Sequence, residues 1–495
     1  MKAFVFAWVI FSLSISALAE IKVQLHYSPV ANLVYQLDCL SDTLTRCSRK
    51  TYQELWDRNF IKDKNDSLKI KQWGELMSRY GKWLEFEETR KVSVPGGFEG
   101  VRLATKIRIA SFQSKTLEEY FSRLDLVVIP RDRLKFEEIV RHFYPGFDRW
   151  WKSTALSHGR SFQKGTEQLL KGHDVMTKIS QFANFYSAKL PDNYVVHFSL
   201  FYRPESPEPT NGQQIDNYSI SEFLSDEKPV ERLDVIIHEL CHFFFENGAD
   251  EKFADLQKSF ESSGKIGARA AYNLLNESLA TALGNGMINK LKMKKEKWEK
   301  YSSKDQSFYH NPHIDKAAKS ILPWMEKWIR DGKTLYDAGF VENYLSSLEK
   351  AIGPELTSPR LILNEFILVA DSGYKNKFRD GVRKLIRPSS MFTSEGEWSD
   401  EILLRGYHEK SNLNALLIVH PSNLKELQDK GLLKDKDFDQ IRSQYGKSEQ
   451  ILFSFRRAPT VQAYLVVARS YEKALELVEK LGSLKEGFEG FYPGP

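Results

Sequence analysis

Apolar residues return every third or fourth position through most of the chain, and gather into short continuous runs at only a few places. That rhythm predicts a mainly helical α+β protein. Near the start, Ile21–Leu25 reads as a short strand, and Ser28-Pro29 opens a helix with Val30, Leu33, Val34, Leu37 and Leu40 along one side. Residues 67–84 carry Trp73, Leu76, Met77, Tyr80, Trp83 and Leu84 at the same spacing, and Pro95-Gly96-Gly97 is a break. Residues 164–189 read as one long helix. Tyr194–Tyr202 reads as a buried strand, Pro204–Gly212 as a proline-rich loop, and Gln213–Ser221 as a shorter, more polar strand. A helix begins at Pro229 and stops at Asn247-Gly248. A second covers about 268–291, with the basic stretch Lys290–Lys300 as its solvated end. Gly353-Pro354 and Ser358-Pro359 mark a boundary. Beyond it, strands at Leu361–Ala370, Leu413–His420, Gln450–Phe455 and Val461–Val467 alternate with helices near 375–386, 422–431 and 471–481. The expected organisation is an N-terminal, mostly helical region (20–150), a central segment (151–352) and a C-terminal α/β module (353–495).

The central segment contains His238-Glu239-Leu240-Cys241-His242. On a helix, the two histidines lie on one face, one turn and about 6 Å apart along the axis. Their imidazoles can then converge on one ion, while Glu239 points slightly aside, where it can take a proton from water. The helix is apolar almost all round and therefore buried. A catalytic zinc needs three protein ligands and an open fourth position. The metzincin arrangement is excluded, because Phe245 and Gly248 stand where it requires Gly and His. Glu277, in Asn276-Glu277-Ser278-Leu279-Ala280-Thr281, shares a small or polar helix face with Ala270, Asn273, Thr281 and Gly284. Such a face lets two helices approach closely and a carboxylate reach across, so Glu277 is the candidate third ligand. Asp250, Asp255 and Glu246 are the alternatives; Glu246, one turn beyond His242, better suits a hydrogen bond to a ligand.

These two segments resemble the gluzincin class of zinc metallopeptidases, the thermolysin-like and aminopeptidase-like group. The resemblance implies that His238, His242 and Glu277 bind Zn2+, that Glu239 is the general base, and that 151–352 forms a zincin-like (thermolysin-like) catalytic core. It also implies an edge strand beside the zinc that pairs with extended substrate, for which Gln213–Ser221 is the candidate. A Tyr or His downstream of the glutamate ligand would stabilise the oxyanion; Tyr309, His310, His313, Tyr336 and Tyr344 all remain open for that role. The expected function is hydrolysis of peptide bonds in proteins, peptides or cell-wall peptides. The alternatives are an inactive zincin-like peptide-binding protein and a non-peptidase zinc hydrolase.

Composition adds a compartment. Lys2, the apolar run Ala3–Ile15 and Ser16-Ala17-Leu18-Ala19 read as a secretory signal peptide cleaved before Glu20, giving a secreted or periplasmic protein without a stable membrane span. The formal charge of +5 is too mild for a nucleic-acid partner. Of three cysteines, Cys39 and Cys47 are close enough in sequence to pair in an oxidising compartment, whereas Cys241 reads as a small core residue. Trp150-Trp151 reads as core packing rather than a sugar platform. Asn65-Asp66-Ser67 and Asn217-Tyr218-Ser219 match glycosylation sequons, which matter only in a eukaryotic host.

Overall fold

The computed structural model describes residues 21–492 apart from 45, 83, 86–100, 173, 191–193, 249, 264, 266, 304, 371–374, 387, 389, 394–406, 408–413, 446–449 and 459–460. The expected leader, the Pro95-Gly96-Gly97 break and Trp83 lie outside the described residues. The molecule is mainly helical with small mixed sheets. Among the described residues, no helix is long and apolar enough to cross a membrane.

The chain opens with β1 (Lys22–His26) and α1 (Pro29–Leu40), whose first turn is capped by the Ser28 side chain accepting from the Ala31 N–H. Helices α2 (Arg49–Asn59) and α3 (Lys64–Gly81), a two-strand ribbon of β2 (Leu84–Glu85) and β3 (Val101–Arg102), and helices α4 (Leu103–Phe112), α5 (Leu117–Leu124) and α6 (Pro130–Trp150) follow. Asp38 pins several of these together: its buried carboxylate accepts from Trp73 Nε1 at 2.7 Å and Arg108 Nε at 2.6 Å. Burying that charge costs several kcal/mol unless it is paired, so α1, α3 and α4 must stay in register. Trp151 is buried against Tyr27, ring centres 4.4 Å apart, as core packing requires.

The expected single helix over 164–189 is two helices, α7 (Leu156–Gly172) and α8 (Val175–Phe185). Asp174 between them takes a left-handed backbone (φ 56°), which no α-helix accommodates. The expected single strand at Gln213–Ser221 is instead a hairpin of β5 (Gly212–Ile215) and β6 (Tyr218–Phe223), which turns at Asp216 with φ 51°. With β4 (Val195–Tyr202) these form a sheet of order β1-β4-β6-β5. β1, β4 and β6 run parallel, and β5 is the antiparallel edge, paired Gln213 to Ile220 and Ile215 to Tyr218. The N-terminal strand is thus an integral part of the sheet that flanks the motif helix.

That helix, α9, spans Pro229–Glu246, with Pro229 in its first turn and the Glu231 carboxylate accepting from the Lys228 N–H. It packs on the hairpin, where Ser219 Oγ donates to the Ile236 carbonyl at 2.6 Å. Leu233, Ile236, Ile237, Leu240, Phe243, Phe244 and Phe245 are buried. Each such side chain contributes about 1.5–3 kcal/mol, which offsets the cost of holding polar site residues in the same helix. Helix α10 (Asp250–Ser262) leads to α11 (Ala268–Ala280), which continues as a π-helical stretch, Thr281–Ile288, and a last turn, Asn289–Lys292. The run ends there because Met293 is extended; Lys295–Tyr301 is a separate helix rather than the solvated end expected of Lys290–Lys300. The Lys292 side chain is only 6% exposed and is paired with Asp234 at 3.0 Å.

The C-terminal sheet has the order β12-β10-β11-β9-β7-β8, built from β7 (Glu365–Ala370), β8 (Ser390–Thr393), β9 (Asn414–Val419), β10 (Gln450–Ala458), β11 (Val461–Ala468) and β12 (Gly490–Phe491). Its strands alternate faces. Phe366, Leu368, Leu416, Ile418, Tyr464 and Val466 join the core shared with α9 and α11. Ile367, Val369, Leu417, Leu465 and Val467 form a second cluster under Leu427, Phe438 and Ile441.

Candidate metal centre

Helices α9 and α11 meet at His238. A Cβ built on Gly284 would lie 2.6 Å from both the Cα and the N of His238, so only glycine permits this approach. The contact brings the α11 run within reach of both histidines. Glu277 Oε2 lies 3.5 Å from His238 Nε2 and 3.7 Å from His242 Nε2, and the two Nε2 atoms are 3.1 Å apart. A tetrahedral ion with ligand distances of about 2.0–2.2 Å sets its ligand atoms roughly 3.3 Å apart. The triangle therefore matches a metal ion to within a few tenths of an ångström, and this His-His-Glu group could hold one. Among the described residues, buried Glu277 Oε2 has no hydrogen-bond partner, which is costly for a carboxylate unless a cation completes it.

The far side of each imidazole is fixed. His238 Nδ1 lies 2.9 Å from Asn285 Oδ1, and His242 Nδ1 lies 2.9 Å from Asn276 Oδ1. An amide oxygen only accepts, so each ring carries its proton on Nδ1 and turns the Nε2 lone pair to the centre. Asn285 is oriented in turn by its Nδ2, which donates to Asp234 Oδ2 at 3.2 Å; Asn289 donates to the same oxygen at 3.0 Å.

Burial pushes the Glu277 carboxyl upward, but His242, His238 and Arg46 outweigh it and hold it well below the usual carboxylate range. Burial lowers His242 below its ordinary value. Burial acts the same way on His238, yet the Glu277 and Glu239 carboxylates raise it overall.

Glu239 is buried beside the sheet edge. A Cβ on Gly212 would lie 2.6 Å from Val235 Cγ1 and 3.3 Å from Glu239 Oε1, so the first residue of β5 crosses directly over this carboxylate. Of the downstream aromatics, Tyr309 stacks on His238 with ring centres 5.6 Å apart and 12° between planes. Its phenol is held well above its ordinary value by burial and then by Glu277. His310 packs beside Tyr309, and its charge is opposed by burial. The other three are engaged elsewhere: His313 with Glu355 at 2.9 Å, Tyr344 with the Ala271 carbonyl at 3.1 Å, and Tyr336 against Phe253.

Among the described side chains, the metal-ligand group contains only His238, His242 and Glu277. Asp255 is exposed, and the side chain of Asp250 lies outside the described residues. Glu246 accepts from Gln214 Nε2 at 3.2 Å. Cys241 is buried as a core residue. Cys39 and Cys47 are free thiols that lie against each other.

Sequence reasoning missed Asn285, Asp234 and Arg46. Asn285 had a signal, an amide between two glycines inside an otherwise apolar run, Ala282 to Ile288. Arg46, from the loop between α1 and α2, had none; its Nη2 lies 3.9 Å from Glu277 Oε1 only through tertiary packing. No protein-family model, curated protein or solved structure matches this chain.

Proposed function

We propose that this chain is a zinc-dependent peptidase of the gluzincin type, with a zincin-like core in which α9, α11 and the β5 edge surround the reacting bond. The observation that carries the reading is the convergence of His238 Nε2, His242 Nε2 and Glu277 Oε2 on one point, with both Nδ1 atoms held by amide oxygens. Two imidazoles and a carboxylate suit zinc, which would supply Lewis acidity toward a water and a peptide carbonyl.

The remaining chemistry falls to the chain. Glu239, adjacent to the centre and beneath Gly212, takes the proton of the attacking water and returns it to the departing amine nitrogen. Tyr309, stacked on His238 and kept protonated by burial and by Glu277, donates its O–H to the developing oxyanion. Gly212–Ile215 is the edge strand of its sheet and offers backbone donors and acceptors to an extended peptide. Asn276 and Asn285 keep the two imidazoles from rotating away.

The test is hydrolysis of a mixed peptide library by the zinc-loaded protein, followed by mass spectrometry. Chelator should stop cleavage and added zinc restore it. The Glu239→Gln protein should keep one zinc and lose turnover. Unchanged turnover in Glu239→Gln would remove the mechanism.

A further inference from the structure

We propose that Arg46 is a specificity residue that recognises a carboxylate on the substrate next to the bond being cut. The proposal rests on the peptidase reading and adds the chemical class of substrate to it. Arg46 reaches the metal centre from the N-terminal part of the chain. Its Nη2 is 3.9 Å from Glu277 Oε1, and its side chain is 41% exposed. The side chain therefore lies beside the centre and is partly exposed to solvent. Its charge acts on Tyr309 and His310, which pack against each other beside His238.

The position is built rather than incidental. The Arg46 carbonyl accepts from Gln213 Nε2 at 3.0 Å, which ties the loop to the β5 edge strand. Two residues on, Ser48 is held by Glu222, a fully buried carboxylate that accepts from the Ser48 N–H at 3.1 Å and Ser48 Oγ at 2.6 Å. The same carboxylate accepts from the Asn211 N–H at 3.0 Å, directly before β5. One buried anion thus fixes both the arm that carries Arg46 and the strand proposed to hold substrate. Breaking such a bond set leaves an uncompensated buried charge, so the arm is expensive to move.

A guanidinium is a permanent, planar, forked donor whose geometry matches a carboxylate with two parallel hydrogen bonds. Beside a centre that holds a scissile carbonyl, it selects peptides carrying a carboxylate within about one residue of that carbonyl. Two sources share this chemistry: the terminal carboxylate of the peptide and an Asp or Glu side chain.

The experiment uses a synthetic peptide library in which each sequence appears with a free or amidated C-terminus and with Glu or Gln at each internal position. Cleavage by the wild type and by Arg46→Gln is read by mass spectrometry, with zinc content measured alongside. Retention of the same library on immobilised zinc-loaded Glu239→Gln protein, with and without Arg46→Gln, is the second reading. We expect wild-type cleavage and retention to favour carboxylate-bearing peptides about tenfold, the preference to vanish in Arg46→Gln, and zinc content to stay unchanged. Loss confined to amidated peptides assigns the terminal carboxylate, and loss confined to Gln peptides assigns the side chain. The proposal is overturned by a preference that survives Arg46→Gln, by no preference in the wild type, by an equal slowing of every bond, or by loss of zinc. Absence of all cleavage would instead count against the peptidase reading, while retention on the Glu239→Gln protein still decides the role of Arg46.

Discussion

Asn285 and Asn276 do the least conspicuous work in the centre. Each supplies a carbonyl oxygen 2.9 Å from an Nδ1, and neither approaches the point where the three ligand atoms meet. Asn285→Ala should therefore leave the fold intact yet weaken metal binding by roughly 10–100-fold, measured by competition with a chelator of known affinity. Unaltered affinity would mean the imidazoles are held by packing alone. Glu239→Gln makes the opposite prediction: metal binding retained, peptide turnover reduced by roughly 10²–10⁴-fold. The convergence of the side chains is legible in the sequence, because the His238–His242 spacing places both rings on one helical face. The support is less legible. Asn285 lies beyond the α-helical register of Glu277, within the π-helical stretch Thr281–Ile288, so counting by 3.6 residues does not place it. Arg46 is further out of reach, since no local pattern links it to Glu277, more than two hundred positions later.

Helix packing decides whether the ligands meet. Gly284 lies so close to His238 that a methyl group there must push the two helices apart. Gly284→Ala should cost about 1–3 kcal/mol in urea unfolding and should lose metal affinity with it. A variant with wild-type stability and affinity would show that α9 can shift freely. The sheet beneath has its own sensitivity. His26 Nε2 on β1 and His197 Nδ1 on β4 are 2.7 Å apart, with Tyr218 stacked on His197, Gln113 bonded to the Tyr218 hydroxyl and Lys115 nearby. Burial, then His197, pushes His26 down to about 4 from its ordinary 6.5, with Lys115 adding to the effect. The unfolded chain therefore binds more protons between those values, and stability should fall as pH drops through that window. His26→Gln should flatten the fall, measured as midpoint temperature against pH; an identical slope in both proteins would contradict this. Helix periodicity located most elements correctly. It failed where a single residue overrides it: Asp174 splits α7 from α8, and Asp216 folds one apparent strand into a hairpin.

Across the whole molecule, one core runs from the N-terminal helices through the candidate metal centre to one face of the C-terminal sheet. That continuity was not readable in advance, because proline and glycine punctuation suggests boundaries but says nothing of which faces are apolar toward a neighbour. It has a thermodynamic consequence. A metal bound only by the folded chain adds RT ln(1 + [M]/Kd), about 2.7 kcal/mol at a hundredfold excess over Kd. Zinc should therefore raise the unfolding temperature of the wild-type protein, and His238→Ala should abolish the shift. The most direct test is a native mass-spectrometric zinc titration of the wild type beside Glu277→Ala. The account predicts one tightly held zinc per wild-type chain and a loss of that ion when Glu277 is removed. A wild type that takes up no stoichiometric metal, or a Glu277→Ala chain that binds it equally well, would contradict the account.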